Sequence, residues 1–382
     1  MQEQKILANE NQYEELKKIL ESHRNSSIMI VCGQSFYTLK IASFFDQLEK
    51  ENQINFFIFD KVLPNPTYDI IKNGVKQLRL HKCEMLIAVG GGSAIDVAKC
   101  IKAFATMDSE KDYLAQQIVP NEIELMAIPT TAGSGSEATS FAVLYNKGEK
   151  QSISHDSCIP SVVVLDPRLL SSLPEYQRKS TMLDALCHAI ESYWSIHSTQ
   201  ESRELSAKAI KLILQNADSY LKNTENGNHN MLLAANLAGR AINIAKTTAG
   251  HAMCYQLTMR YGIAHGHAAA LCVEQLWCYM LQNISQCCDI RGEAYLKHIF
   301  SDLSNLFGAQ FPQDGAAAYS AFLKNLKLTH PLAKAEDICA LSESVNEERL
   351  RNNPINPDKE ALKDMYCRIV EIEANNKEGK NE

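Results

Sequence analysis

The sequence has no stretch approaching the roughly eighteen uninterrupted apolar residues that a membrane-spanning helix requires. Its opening, MQEQKILANENQYEELKKIL, is too polar for a secretory signal. A basic excess is missing as well. Thirty-eight Lys and Arg face 45 Asp and Glu, a formal charge of −7, which argues against a broad nucleic-acid surface but leaves room for a local anion pocket. Glycine and proline are few, 17 and 11, and with 45% hydrophobic and 22% charged residues the composition is that of a soluble globular protein. The twelve cysteines include no CxxC pair: Cys32, Cys83, Cys100 and Cys158 stand singly, and the one cluster, Cys287-Cys288, is adjacent. This spacing excludes a cysteine zinc site and reads as reduced core thiols of a cytoplasmic protein.

At 382 residues the chain is too long for one ordinary core, so two domains are expected. Residues 11–24 read as an amphipathic helix and SSIMIVCG (26–33) as a buried strand. A helix over 37–52, the strand INFFIFD (54–60), a turn at PNPT (64–67) and a helix over 68–80 follow. Then come the strand MLIAVGGG (85–92), a helix over 93–106 and the strand ELMAIPTT (124–131). This alternation predicts a doubly wound, Rossmann-like parallel sheet. After VVVLDP (162–167) the strand signals stop. Helices are predicted over 178–196, 200–221, 229–257, 265–285, 293–306, 314–327, 334–342 and 358–372, and the tail NNKEGKNE reads as disordered. The expected division is an α/β dinucleotide-binding domain over 1–169 and an all-α domain over 170–382.

Two patterns carry chemistry. GGGSAIDVAK sits between a strand and a helix, where successive glycines let backbone N–H groups and a helix N-terminus approach a pyrophosphate. A second loop, PTTAGSGSE, offers hydroxyls at the end of the next strand, and it is not a P-loop because no GKS or GKT follows. In the helical half, Asp184 and His188 stand four apart in DALCH and so share a helix face. His251 opens HAMCY and His265 opens HGH. One carboxylate and three imidazoles suit Fe(II) or Zn(II), with coordination left open for a substrate oxygen. Any one of these histidines alone is more often a core or surface residue.

GGGSAID, PTTAGSGSE, DALCHAIESY and HAMCY…HGH, in this order, resemble the iron-containing (group III) alcohol dehydrogenase family over nearly the whole chain. The resemblance implies a metal-dependent oxidoreductase of dehydroquinate synthase-like architecture that interconverts an aldehyde and a primary alcohol with NAD(P), bound between the domains, and it implies a homodimer. It implies that Asp184, His188, His251 and His265 hold the metal, as a Lewis acid for the substrate oxygen. It implies that Gly91, Gly92 and Ser93 meet the pyrophosphate, that Thr130, Thr131, Ser134, Thr139 and Lys150 surround the nicotinamide and its ribose, and that Asn65 contacts the adenosine. Relatives using NAD often carry an aspartate where this chain has Gly33, so NADPH is expected to serve at least as well as NADH.

The chain departs from the family pattern at Tyr255, where many relatives have a second histidine, and His267 is then a candidate proton relay. AINIAKTTAGHAMCYQLTMRYGIAHGHAAAL is most similar to the branch that reduces phosphonoacetaldehyde to 2-hydroxyethylphosphonate. In that reading Lys246, with Thr247 and Thr248 one helical turn before His251, anchors the phosphonate. The alternative is a general alcohol, butanol or 1,2-diol dehydrogenase acting on neutral substrates. Asp184 with three histidines argues against a dehydroquinate synthase-like lyase.

Overall fold

A computed structural model describes residues 4–52 and 54–372. The chain divides into two compact units. One is the described part of Met1–Arg178 with Gln215–Asn243; the other is Lys179–Leu214 with the described part of Ile244–Glu382. In the first, strands β1 (Lys5–Leu7), β2 (Ser27–Cys32), β3 (Asn55–Phe59), β4 (Cys83–Gly90) and β5 (Glu124–Pro129) alternate with helices α1 (Gln12–Glu21), α2 (Lys40–Asn52), α3 (Tyr68–Leu80) and α4 (Gly92–Phe104). A hairpin of β6 (Phe141–Asn146) and β7 (Glu149–Ser154) then leads to β8 (Val162–Val164).

Six strands form one sheet in the order β1-β8-β5-β4-β2-β3, with every neighbouring pair parallel. The expected doubly wound sheet is therefore present. Its apolar runs do not alternate because they are covered on both faces: Ile28 to Cys32 and Met85 to Ala88 are fully buried. The strand order also fixes where a ligand can lie. After β2 the chain adds β3 on one side, then returns to place β4 on the other. The carboxyl ends of β2 and β4 therefore flank the point where the order reverses, the usual crevice for a nucleotide in such sheets. Gly33 follows β2, and Gly91 to Ser93 follow β4.

The remaining elements are helical: α5 (Glu175–Trp194), α6 (Gln200–Leu221), α7 (Glu225–Ala245), α8 (Ala249–Tyr261), α9 (His265–Gln282), α10 (Glu293–Leu306), α11 (Pro312–Asn325), α12 (Asp337–Glu343), α13 (Glu347–Leu350) and α14 (Lys359–Ile369). One short parallel pair, β9 (Leu332–Ala333) with β10 (Glu371–Ile372), interrupts them. Among the described residues no helix is long and apolar enough to cross a membrane. The tail NNKEGKNE lies outside the described residues.

One expected helix is wrong. The continuous helix over 229–257 is in fact two, α7 and α8, separated at Lys246, whose φ is 60°. Left-handed backbone at a lysine cannot sit inside an α-helix. The interval is held open by capture of its polar groups. The Ser195 hydroxyl donates to the Ala245 carbonyl at 2.6 Å, and the Thr248 N–H donates to Glu191 Oε1 at 3.0 Å.

Candidate metal centre and cofactor cradle

Helix α5 carries Asp184 and His188 at a four-residue spacing, so both project from one buried face. His251 lies in the first turn of α8. Gly262, at φ 66°, closes α8 in the left-handed cap that glycine favours, and three residues later His265 opens α9. The start of α9 comes so close to α5 that only glycine fits at position 266: a Cβ there would stand 2.0 Å from the Ser180 carbonyl and 2.6 Å from Asp184 Cβ. That approach brings the His265 ring to Asp184.

The three imidazoles converge on one oxygen. Asp184 Oδ1 is 3.5 Å from His251 Nε2, 3.9 Å from His188 Nε2 and 4.0 Å from His265 Nε2. Two donors bound to one ion at about 2.1 Å can stand at most about 4.2 Å apart. Asp184, His188 and His251 form the compact set, with their ligand atoms within 4.8 Å of one another, and His265 approaches it from outside through Asp184. The His188 and His251 rings stack at 4.5 Å, and His265 is the outermost of the four at 36% side-chain exposure. Asp184 Oδ1 and His251 Nε2 are buried and make no hydrogen bond. Buried polar atoms left this way are costly unless something else satisfies them. The donor set, the spacing and these two atoms all fit a divalent ion.

Electrostatics agree. Burial pushes the Asp184 carboxyl up, but the charge of His188 and the contacts of His251 and His265 hold it well below the usual carboxylate range. Burial likewise raises Glu191, and His251 more than reverses this. Burial lowers His251, yet Glu191 and Asp184 lift it to about 9. Two buried carboxylates thus favour positive charge here, carried by the imidazoles themselves or by a bound dication.

Glu191 is the functional residue that reading the sequence missed. It is fully buried, and its Oε2 accepts from His251 Nδ1. Because a carboxylate only accepts, Nδ1 carries the proton and the Nε2 lone pair is aimed at the metal position. Its Oε1 accepts from the Thr248 N–H, the Thr248 hydroxyl (2.7 Å) and the His251 N–H (3.2 Å), capping the N-terminus of α8. The signal was available: Glu191 stands seven after Asp184 and three after His188, hence on the same helix face. Glu191→Gln keeps an acceptor but loses the charge that fixes the tautomer. It should weaken metal affinity about ten- to a hundredfold. Competition against a chromogenic chelator reads this, and unchanged affinity would remove Glu191 from the centre.

Three other expectations are corrected here. Lys246 is exposed at the break between α7 and α8 rather than buried on a helix face with His251. Thr248 does lie close to the ligand, but its hydroxyl is committed to Glu191 and accepts from Trp194 Nε1 at 2.9 Å. His267 is about 200° round α9 from His265, because each helical residue turns about 100°. It is buried, with its N–H on Ser180 Oγ, and burial, reinforced by His330, takes its pKa down to about 4. It is poorly placed to relay protons to the metal face.

In the other unit, the two cofactor loops press together. A Cβ on Gly91 would meet Thr131 Oγ1 at 3.1 Å, and one on Gly92 would meet Ser134 Oγ at 2.9 Å. Gly91 caps α4 and Gly92 begins it, with Ser93 in its first turn. Thr130 is tied to the Gly90 carbonyl at 3.0 Å. These residues form a cradle of helix N-terminal N–H groups and hydroxyls suited to a pyrophosphate. Gly33 follows the adjacent strand end, where a Cβ would stand 3.2 Å from the Val62 carbonyl. Asn65 is exposed at φ 55° in its turn, and Lys150 is on β7. Thr139 is different: it is buried, and its hydroxyl lies 2.9 Å from Lys99 Nζ, so that hydroxyl serves the loop itself rather than a cofactor.

Residues 3–167 match the family model described as iron-containing alcohol dehydrogenase, and 179–370 match the C-terminal model of the same family. The chain is 32% identical over 322 residues to a phosphonoacetaldehyde reductase of Streptomyces viridochromogenes, covering 80% of this chain and 81% of that one. Among solved structures it is similar to the sulfoacetaldehyde reductase of Bifidobacterium kashiwanohense in complex with NAD+. That likeness has a TM-score of 0.82 and 26% identity over 97% of this chain and 98% of that one. An iron-containing alcohol dehydrogenase of Thermococcus thioreducens shares the fold at TM-score 0.87 and 22% identity, over 97% and 98% of the two chains.

Proposed function

The chain belongs to the iron-containing alcohol dehydrogenase family, and from that premise we propose that it reduces a two-carbon aldehyde bearing a tetrahedral anion, phosphonoacetaldehyde foremost, to the primary alcohol. It is an iron-type, NAD(P)-dependent alcohol dehydrogenase. The observation that carries the finer reading is an agreement between relatives. Two proteins similar to this chain over most of its length are named for phosphonoacetaldehyde and for sulfoacetaldehyde. Both are acetaldehydes carrying a tetrahedral oxyanion. The lysine anchor expected beside the metal is not part of the support, since Lys246 is exposed.

In this reading Asp184, His188, His251 and His265 hold the ion, and Gly91 to Ser93, Thr131 and Ser134 hold the dinucleotide. When bound, the metal supplies Lewis acidity to the substrate oxygen and the reduced nicotinamide supplies the hydride. Glu191 keeps His251 in the tautomer that leaves Nε2 free. Asp184 and Glu191 set the local charge, so the centre accepts a dication without net charge being buried. The fixed helices α5, α8 and α9 keep these side chains in place before substrate arrives, which is where orientation lowers a barrier.

Cofactor choice rests on the end of β2. Gly33 leaves no carboxylate there to repel a 2′-phosphate. Asp60, just beyond β3, accepts from Gln34 and Tyr37 at 3.1 Å each and pairs with Lys61 at 3.1 Å. One assay tests both parts: oxidation of NADPH and of NADH with phosphonoacetaldehyde, sulfoacetaldehyde and propanal. The expected result is a kcat/KM for an anionic aldehyde about tenfold or more above propanal, since charge-assisted hydrogen bonds are worth that much. NADPH should serve at least as well as NADH. Propanal as the best substrate would leave a neutral-alcohol enzyme, and about a tenfold preference for NADH would assign the ribose to Asp60 instead.

A further inference from the structure

An anionic substrate needs a cation near the metal, and the exposed Lys246 does not supply one from the buried face. A different residue does. Arg349 lies on the short helix α13, and its Nη1 donates to the Tyr255 hydroxyl. Its guanidinium also stands over the Tyr255 ring, 4.8 Å from the centroid. Tyr255 is four residues after His251 on α8, hence on the same face. Its ring stacks on the ring of His265 at 5.4 Å and 19°. The guanidinium is thus one aromatic ring away from a metal ligand.

Burial sets this guanidinium apart from a surface arginine. No carboxylate among the described residues lies within ion-pair distance of Arg349. Burial pushes its pKa down, and the nearby acids that oppose this are the Cys254 thiol and Glu191. Glu191 is already engaged by His251 and Thr248. A guanidinium carries five N–H donors in a planar fork that fits a tetrahedral oxyanion. Desolvating such a group without a counter-charge is costly, and the cost is recovered when an anion binds. The substitution of tyrosine at position 255 is part of the same device. The aromatic face supports the guanidinium, and the hydroxyl takes one donor and orients the rest.

We propose that Arg349, held on Tyr255, binds the phosphonate or sulfonate of the substrate and makes this site selective for anionic aldehydes. The inference rests on the reading that the substrate is an anionic aldehyde. It names a binding and specificity residue, not a catalytic one.

Arg349→Met and Arg349→Lys, purified with their metal, should be compared with the parent on phosphonoacetaldehyde, sulfoacetaldehyde and propanal. Metal content and melting temperature are measured alongside. In Arg349→Met the ratio of kcat/KM for the preferred anionic aldehyde to that for propanal should fall about thirtyfold, mostly through KM. Arg349→Lys keeps the charge but loses the fork, and should fall about tenfold. Whichever of the two anions shows the larger loss is the one the site is built for. Equal losses on all three aldehydes, with metal retained, would make Arg349 a brace for Tyr255 and overturn the proposal while the substrate reading stands. A parent enzyme that prefers propanal to both anions overturns the substrate reading and this inference together. If Arg349→Met loses its fold, the lysine variant decides: an unchanged ratio at the parental melting temperature overturns the proposal.

Discussion

Replacing His251 by alanine is expected to give an enzyme with neither metal nor turnover. The side chain has two jobs at once. Its Nε2, buried and without a hydrogen bond, faces Asp184 Oδ1 at 3.5 Å, and its Nδ1 occupies Glu191. Removing the ring deletes one donor of the compact set with Asp184 and His188, and the stacking partner of His188. It also leaves Glu191 buried with a charge and no imidazole to share it. Loss of Lewis acidity is worth several kcal/mol at the barrier, so turnover should drop about a thousandfold or more. Metal analysis after gel filtration and a single-turnover assay check the two effects together. A variant that still reduces aldehyde at the parental rate without metal would refute the site. Glu191→Gln is the companion: it should retain the fold and bind metal weakly, placing it between parent and His251→Ala.

Lys99→Met should destabilise the cofactor unit by about 3–5 kcal/mol, the cost of breaking a buried charged network at one partner. Lys99 is fully buried on α4, and its ammonium meets four acceptors. These are the Ser136 carbonyl at 2.5 Å, the Thr139 carbonyl at 2.7 Å, and Thr139 Oγ1 and the Phe141 carbonyl, both at 2.9 Å. Burial lowers its pKa, and Asp96, one helical turn away, pulls it back. Asp96 in turn accepts from the Ser136 hydroxyl at 2.5 Å and the Val143 N–H at 3.1 Å. Helix α4 therefore does more than present Gly91 to Ser93 at its start. Two turns of its buried face fasten the loop that carries Ser134. Methionine fills the volume but donates nothing, so the acceptors lose the ammonium's hydrogen bonds and buried Asp96 loses its neighbouring positive charge. Urea unfolding should show a lower midpoint, and KM for NAD(P)H should rise while KM for the aldehyde moves less. Parental stability with parental cofactor KM would show that Lys99 is not the fastener.

Much of the site was legible because its rules are local. A four-residue gap puts Asp184 and His188 on one face whatever they pack against. Glycines between an apolar strand and a helix predict a nucleotide turn from backbone sterics alone. The β6–β7 hairpin was equally local and still went unread: Lys147 at φ 52° and Gly148 at φ 83° make a two-residue turn in a stretch without an Asn-Gly pair. The three-residue β1 could not be read, since Lys5 to Leu7 become a strand only by pairing with Val162 to Val164.

The break at Lys246 shows where local reasoning fails. AINIAKTTAGHAMC contains no proline, and its only glycine is Gly250, inside α8. What ends the helix is Glu191, a carboxylate from α5 that takes the Thr248 and His251 N–H groups and so caps a new helix in mid-pattern. The same break leaves Lys246, expected to anchor the substrate, exposed between two helices. The shared face of Asp184 and His188, the glycine turn and the parallel sheet were legible in the order of residues along the chain, because each depends on spacing within one element or its turn. Which carboxylate orients His251, which lysine fastens the loop of Ser134 and which guanidinium lies one ring from His265 were decided by tertiary structure alone. Each joins residues of separate elements, and the burial that makes their charges effective exists only once those elements have packed.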